Sequence, residues 1–127
     1  RHSLIIIDDC APSLKNKRNG AIQNAFIRGR HFLCSVIVTT QYYNKLPPVC
    51  RNNLSGLVSF ETNLKQLESI SDDHNYLKGG MKSFKNMFYN TTCKTKHSTF
   101  VVNYTNDKQN RYMDGNFESL DQSDYEC

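Results

Sequence analysis

Two adjacent carboxylates, Asp8 and Asp9, stand directly after four consecutive large aliphatic residues at positions 4–7. Neighbouring acids repel one another unless a cation or an offset between their pKa values accommodates them. The pair therefore suits the holding of a metal ion or acid–base work. A second apolar run, FLCSVIVTT at residues 32–40, ends in Thr39, Thr40 and Gln41, so polar groups again follow a hydrophobic stretch. Arg28, Arg30 and His31 lie between the two runs and Arg51 lies beyond them. Guanidinium groups can meet phosphate oxygens bidentately and neutralise transition-state charge. Each piece also has a plainer explanation. An ordinary strand running into an Asp-rich turn accounts for Asp8 and Asp9, a strand-terminal Gln41 serves a turn hydrogen bond, and a surface arginine is more often structural than catalytic.

The elements that position these residues are legible. The run at residues 4–7 is too short for a buried helix and reads as a strand covered on both faces, as in a parallel sheet. AIQNAFI at residues 21–27 places apolar residues at helical spacing, and Gly29 ends that helix with Arg28, Arg30 and His31 at its C-terminus, where cations are favoured. The β-branched run at residues 32–40 is a second buried strand. Strand, helix, strand at this spacing is a βαβ unit with parallel strands and a right-handed crossover. Asp8 and Asp9 then share one sheet edge with Thr40 and Gln41, beyond the carboxyl ends of the strands where α/β proteins bind ligands.

Further along, Pro47 and Pro48 open a short helical turn through Arg51 and Asn52. LSGLVSFE at residues 54–61 reads as a third strand, and Leu64, Leu67 and Ile70 follow at helical spacing. After the Gly79-Gly80 break, residues 81–89 form an amphipathic helix with Met81, Phe84 and Phe88 inward and Lys82 and Lys85 outward. Residues 99–104 and 111–113 flank a hairpin turn at residues 106–109.

At 127 residues the chain is one domain or part of one, with no apolar run long enough for a membrane span. Residues 1–113 hold all 16 Lys and Arg against seven acids, a net of +9, whereas residues 114–127 hold five acids and no base. A basic body with an acidic, flexible tail suits a polyanionic partner, the tail competing for the basic surface or simply solubilising the domain. The five cysteines show neither a C-x-x-C pair nor zinc spacing, and Cys34 lies in an apolar run as a small hydrophobe, which favours a reducing compartment.

The order LIIIDD, IRGRH, SVIVTTQ, PPVCRNN and a strand resembles the viral genome-packaging ATPases of the poxvirus and giant-virus type. Those belong to the FtsK/HerA branch of P-loop NTPases and have relatives in virophages and Polinton-like elements. The match runs from about residue 4 to residue 60 and, more loosely, through the hairpin. It implies an α/β fold, the C-terminal part of a RecA/FtsK-like domain with a mostly parallel sheet flanked by helices and a C-terminal β-hairpin. It makes residues 4–9 the Walker B strand, with Asp8 holding Mg²⁺ and Asp9 standing where relatives carry a catalytic Glu that orients and deprotonates water. Aspartate is one methylene shorter than that glutamate. Gln41 matches the sensor residue that reads the γ-phosphate, Thr40 a nucleotide contact, and Arg28, Arg30 and Arg51 are candidate arginine fingers acting across a subunit boundary. The resemblance further implies ATP and Mg²⁺ as cofactors. As partners it implies double-stranded DNA, identical subunits in a ring and a viral capsid or portal-like vertex, in a viral factory or host cytoplasm with virion association left open.

The family's G-x-x-x-x-G-K-[ST] motif, whose backbone amides and Lys cradle phosphates, has no counterpart here, since Gly79-Gly80 is followed by Met81 and Lys82 without the required spacing. The expectation is a partial P-loop domain over residues 1–113, the C-terminal part of a longer protein, inactive alone. The family's first strand would lie between the strand ending at Thr40 and the one beginning near Leu54. Two other classes stay open: a non-catalytic nucleic-acid-binding α/β module whose acidic pair is structural, and a two-carboxylate nuclease, which lacks a third acid and a His partner near Asp8.

Overall fold

The computed structural model describes residues 1–9, 20–29 and 31–126. Contacts divide the chain into two compact units, residues 1–54 and residues 55–127, each described by itself.

In the first unit, β1 (Ser3–Asp8) pairs in parallel with β2 (Cys34–Thr39), and α1 (Gly20–Arg28) joins them. Every residue of β1 has a partner in β2, from Ser3 opposite Cys34 to Asp8 opposite Thr39. Gly29 allows the chain to leave α1 and enter β2. A Cβ built there would stand 2.4 Å from the Ala25 carbonyl oxygen and 2.5 Å from that of Cys34, so only glycine fits. Its own carbonyl accepts from Phe32 N (3.1 Å) and Cys34 N (2.8 Å), and Ser3 N donates to Leu33 O at 2.8 Å. Leu33 takes a left-handed φ of 50° to complete the turn. A 3₁₀ turn over Tyr43–Lys45 and α2 (Pro48–Arg51) close the unit. The prolines act as the sequence predicts, with Pro47 capping and Pro48 pre-set for the first helical position.

The covered strands expected from the aliphatic runs are not found. Leu4 is 56% and Ile6 63% exposed, and Ile37 is exposed as well.

The second unit holds a three-stranded antiparallel sheet in the order β3 (Gly56–Phe60), β4 (Thr99–Asn103), β5 (Tyr112–Asp114). The third strand, expected in the mostly parallel sheet, instead pairs antiparallel with β4. The α/β class, the parallel strands and the C-terminal hairpin are as the sequence predicts. Two helices, α3 (Leu64–His74) and α4 (Gly80–Thr92), belong to this unit. The Asn63 side chain caps α3 by accepting from Gln66 N at 2.9 Å. Gly80 opens α4 at φ 68°, a conformation that favours glycine. As predicted, α4 turns Phe84 and Phe88 inward, and both are fully buried. They meet Phe100 edge-on or tilted, at ring centroid distances of 5.6 and 5.4 Å, and Phe100 stacks on Tyr112 at 5.8 Å. Such pairs contribute beyond their buried area.

Tyr112 is also a polar anchor. Its hydroxyl donates to the His74 carbonyl at 2.6 Å and accepts from Tyr76 N at 2.9 Å. Residues 114–126, expected as a flexible tail from residue 114, are bonded into this unit. Asp114 Oδ1 accepts from Asn116 N and Glu118 N, Leu120 N donates to Tyr112 O, and Gln122 Nε2 donates to Lys108 O. Aspartate side chains that close local turns give this acidic stretch an ordered path that periodicity does not reveal.

Two predictions follow from the core. Phe84→Ala removes a fully buried ring and is expected to cost about 3–5 kcal/mol, seen as a lower urea midpoint at unchanged slope. Burial pushes the Tyr112 phenol from 10.0 up to about 12, and burial raises Tyr104 as well. Both phenols hold their protons more tightly folded than unfolded. The Tyr112 contribution is complete below pH 10.0 and is lost as pH rises from there toward about 12. Urea unfolding across that window should show the decline, shallower in Tyr112→Phe.

Candidate functional site

The parallel register carries Asp8 and Thr39 to the same level, so the carboxyl ends of both strands meet at one edge. The Thr39 hydroxyl donates to Asp8 Oδ1 across the two strands. The same hydroxyl accepts from the Asp9 backbone N–H at 3.3 Å, and that N–H also donates to the Thr39 carbonyl at 2.9 Å. One threonine thus fixes both the carboxylate of Asp8 and the backbone of Asp9. Asp9 has a φ of 52°, in the left-handed region that Asp and Asn tolerate better than most residues. The chain leaves the extended conformation at Asp9, whereas Asp8 still belongs to the strand.

Sequence reasoning placed Asp8, Asp9, Thr40 and Gln41 at one edge, and the strand ends are found together there. It overlooked Thr39. The available signal was the period-2 alternation of a strand combined with parallel pairing, which sets residue 39 opposite residue 8. Thr40 turns its hydroxyl into its own loop, where it bonds Tyr42 O and Tyr42 N, each at 3.2 Å. Gln41 follows as an exposed residue. At the far end of the ladder His2 Nε2 lies 2.8 Å from Ser35 Oγ, a second cross-strand side-chain bond.

Arg28 and Arg51 sit on helix ends, not on the strand edge. Arg28 is exposed in the last turn of α1. Arg51 ends α2, half-buried, with its guanidinium 5.7 Å from the Tyr43 ring centroid. Arg30 lies outside the described residues. His31 donates its backbone N–H to the Arg28 carbonyl at 3.0 Å, which fits a role in ending the helix.

Among the described residues no three or more His, Cys, Asp or Glu side chains form a metal cage. The donor set at this edge is a solvent-exposed carboxylate oriented by a hydroxyl, beside a second carboxylate. Oxygen ligands from one or two carboxylates, completed by water and phosphate, are what Mg²⁺ takes in phosphoryl-transfer sites. The residues present fit that ion and offer no closed site for zinc or calcium.

A parallel strand pair in one unit and a three-stranded antiparallel sheet in the other make up an arrangement found in a solved structure. B204, the DNA-packaging ATPase from Sulfolobus Turreted Icosahedral Virus, superposes with a TM-score of 0.62 at 18% sequence identity, over 80% of this chain and 47% of that one. Residues 1–116 match the family described as Poxvirus A32 protein, and the chain belongs to that family. The resemblance to poxvirus-type packaging ATPases is borne out. A stretch of 60 residues is 32% identical to the uncharacterized protein 015R of Frog virus 3 (isolate Goorha), covering 47% of this chain and 19% of that protein. The chain thus spans about half the length of the first relative and about a fifth of the second.

Thr39→Val keeps the β-branched shape and removes the donor to Asp8. Stability is expected to fall by only about 0.5–1.5 kcal/mol, the worth of one hydrogen bond. Backbone amide exchange of Asp9 should stay protected by the Thr39 carbonyl.

Proposed function

We propose that this chain supplies the Walker B and sensor half of an ATP-driven motor that moves double-stranded viral DNA into a capsid. The observation that carries this reading is the Asp8–Thr39 register, which gathers two carboxylates and a polar strand end at one sheet edge. Membership of the Poxvirus A32 protein family and the fold likeness to a DNA-packaging ATPase support it.

Magnesium-bound ATP, when present, supplies the transferable phosphoryl group and the charge that neutralises it. Asp8 would hold the ion directly or through water, and the Thr39 hydroxyl keeps its carboxylate oriented. Asp9, aimed differently by its left-handed backbone, orients the attacking water and accepts its proton. Gln41, just beyond the end of β2, would meet the γ-phosphate, and Thr40 beside it would flank the nucleotide. Arg28, Arg30 or Arg51 reaches the phosphates of a neighbouring subunit, which a ring of identical copies would require. Partners on this reading are double-stranded DNA, further copies of the chain and a capsid vertex. Among the described residues no helix is long and apolar enough to cross a membrane.

The test joins this chain to a phosphate-binding segment of the G-x-x-x-x-G-K-[ST] type and measures DNA-stimulated ATP hydrolysis. Asp9→Asn tolerates the same φ and should cost about 10²–10⁴-fold in kcat, the range of a lost general base. Asp8→Ala should abolish Mg²⁺-dependent turnover, and Thr39→Val should lower kcat by roughly tenfold, one loosened ligand's worth. Full activity in Asp8→Ala would sink the assignment. DNA binding indifferent to Mg²⁺, ATP and Asp8 would favour a non-catalytic nucleic-acid-binding module.

A further inference from the structure

The segment from Asn75 to Asn106 contains five lysines and no Asp, Glu or Arg. Within it α4 buries Phe84, Met87 and Phe88 and turns Lys82, Lys85, Asn86 and Asn90 to solvent. Successive members lie three, one and four residues apart, which keeps all four on one side of a helix with 3.6 residues per turn. Lys78 precedes the helix, and Lys94 and Lys96 follow it, all exposed. No hydrogen bond or ion pair engages the side chains of these lysines among the described residues. The neighbouring acid Glu126 accepts from the Lys78 backbone N–H at 3.4 Å and leaves the ammonium aside.

A merely solvated helix face ordinarily mixes signs and gains i,i+4 pairs. The exposed residues of α3 do so with Lys65, Glu68 and Asp72. Those of α4 do not. Moreover, α4 has no acid in its first turn and no side-chain cap at Gly79, so Lys78 and Lys82 sit at the helix end where the macrodipole disfavours cations. Helix stability therefore does not explain their placement. A row of unpaired cations with amide donors between them matches a polyanion whose charges lie along a line. Phosphate contacts in protein–DNA complexes are made by such Lys and Asn side chains.

Resting on the packaging-motor reading above, we propose that the solvent face of α4, through Lys82 and Lys85 with Asn86 and Asn90, contacts the phosphate backbone of double-stranded DNA. Lysine point charges on flexible stems grip phosphate without reading bases, so the contact tracks DNA of any sequence.

The experiment measures binding of a fluorescein-labelled mixed-sequence DNA duplex to the full-length protein by anisotropy between 50 and 200 mM KCl, conditions spanning roughly the steep part of the salt dependence. K82Q/K85Q is expected to weaken binding roughly tenfold for every duplex. It should also lower the slope of log K against log salt by about 1.8, or 0.9 per lost phosphate contact. DNA-independent ATP hydrolysis and the helical circular dichroism should stay unchanged, and K82R/K85R should restore the wild-type slope. Unchanged affinity and slope in K82Q/K85Q, with the wild type binding normally, overturns the α4 surface alone. A wild type that binds no duplex overturns both this surface and the motor reading. A variant that changes oligomer mass in light scattering while keeping its DNA affinity makes α4 a subunit contact and also overturns the proposal.

Discussion

The register of one parallel strand pair decides what the first unit can do. Side chains alternate along a strand, so a one-residue slip would turn Asp8 to the opposite face from Thr39. The register is pinned at its other end, far from the carboxylates. Gly29 lets the α1 terminus press against the start of β2, its carbonyl receives two amides, and Ser3 begins pairing at Leu33. From there the ladder counts residue by residue to Asp8 opposite Thr39. A constraint at a helix end thereby fixes a hydrogen bond between side chains at the other end of the sheet.

Two neighbouring acids can take different parts only if their surroundings differ. Here the difference is in the backbone. Asp8 is the last residue of an extended strand, and its carboxylate is oriented by a hydroxyl from the next strand. Asp9 has left the strand through a left-handed turn, and it is its amide, not its carboxylate, that Thr39 engages. An ion holder needs a fixed oxygen, whereas a group that receives a proton from water needs reach. The same threonine holds the Asp8 oxygen and, through the Asp9 amide, the backbone from which the second carboxylate extends.

Much of this was legible in the sequence because it depends on local signals. The βαβ unit follows from apolar runs, a helical spacing and a glycine stop, and its handed, parallel geometry predicts the shared edge without any family knowledge. The hairpin and the inward face of α4 follow from alternation and from helical period. What escaped depends on pairing between distant segments. LSGLVSFE is equally good as a parallel or an antiparallel strand, and only its fit against Thr99–Asn103 decides. The aliphatic run suggested strands covered on both faces, whereas Leu4, Ile6 and Ile37 are exposed. Thr39 was passed over in favour of Thr40 because the end of a strand marks the site, while the alternation within the strand decides which hydroxyl faces the acid. The acidic residues 114–126 carry no period, and their order comes from aspartates closing turns one at a time.

Stability and chemistry are also distributed unequally. The second unit rests on fully buried aromatic rings, Phe84, Phe88, Phe100 and Tyr112, with the Tyr112 hydroxyl tying the end of α3 to β5. Removing any of these touches the dominant favourable term in folding. Among the described residues no cluster of fully buried rings lies under the carboxylate edge. Leu4 and Ile6 are largely in solvent, and the edge is held by a backbone ladder and a few side-chain hydrogen bonds. Bonds of that kind are individually small in net worth but strict in geometry. Substitutions at the edge should therefore change orientation far more than they change folding free energy. For phosphoryl transfer that is the sensitive quantity, since catalysis there is almost entirely positioning and electrostatics. The residue with most influence on this site is accordingly Thr39, which carries no charge and would not itself meet a proton or a phosphate. It is the group that the two carboxylates share.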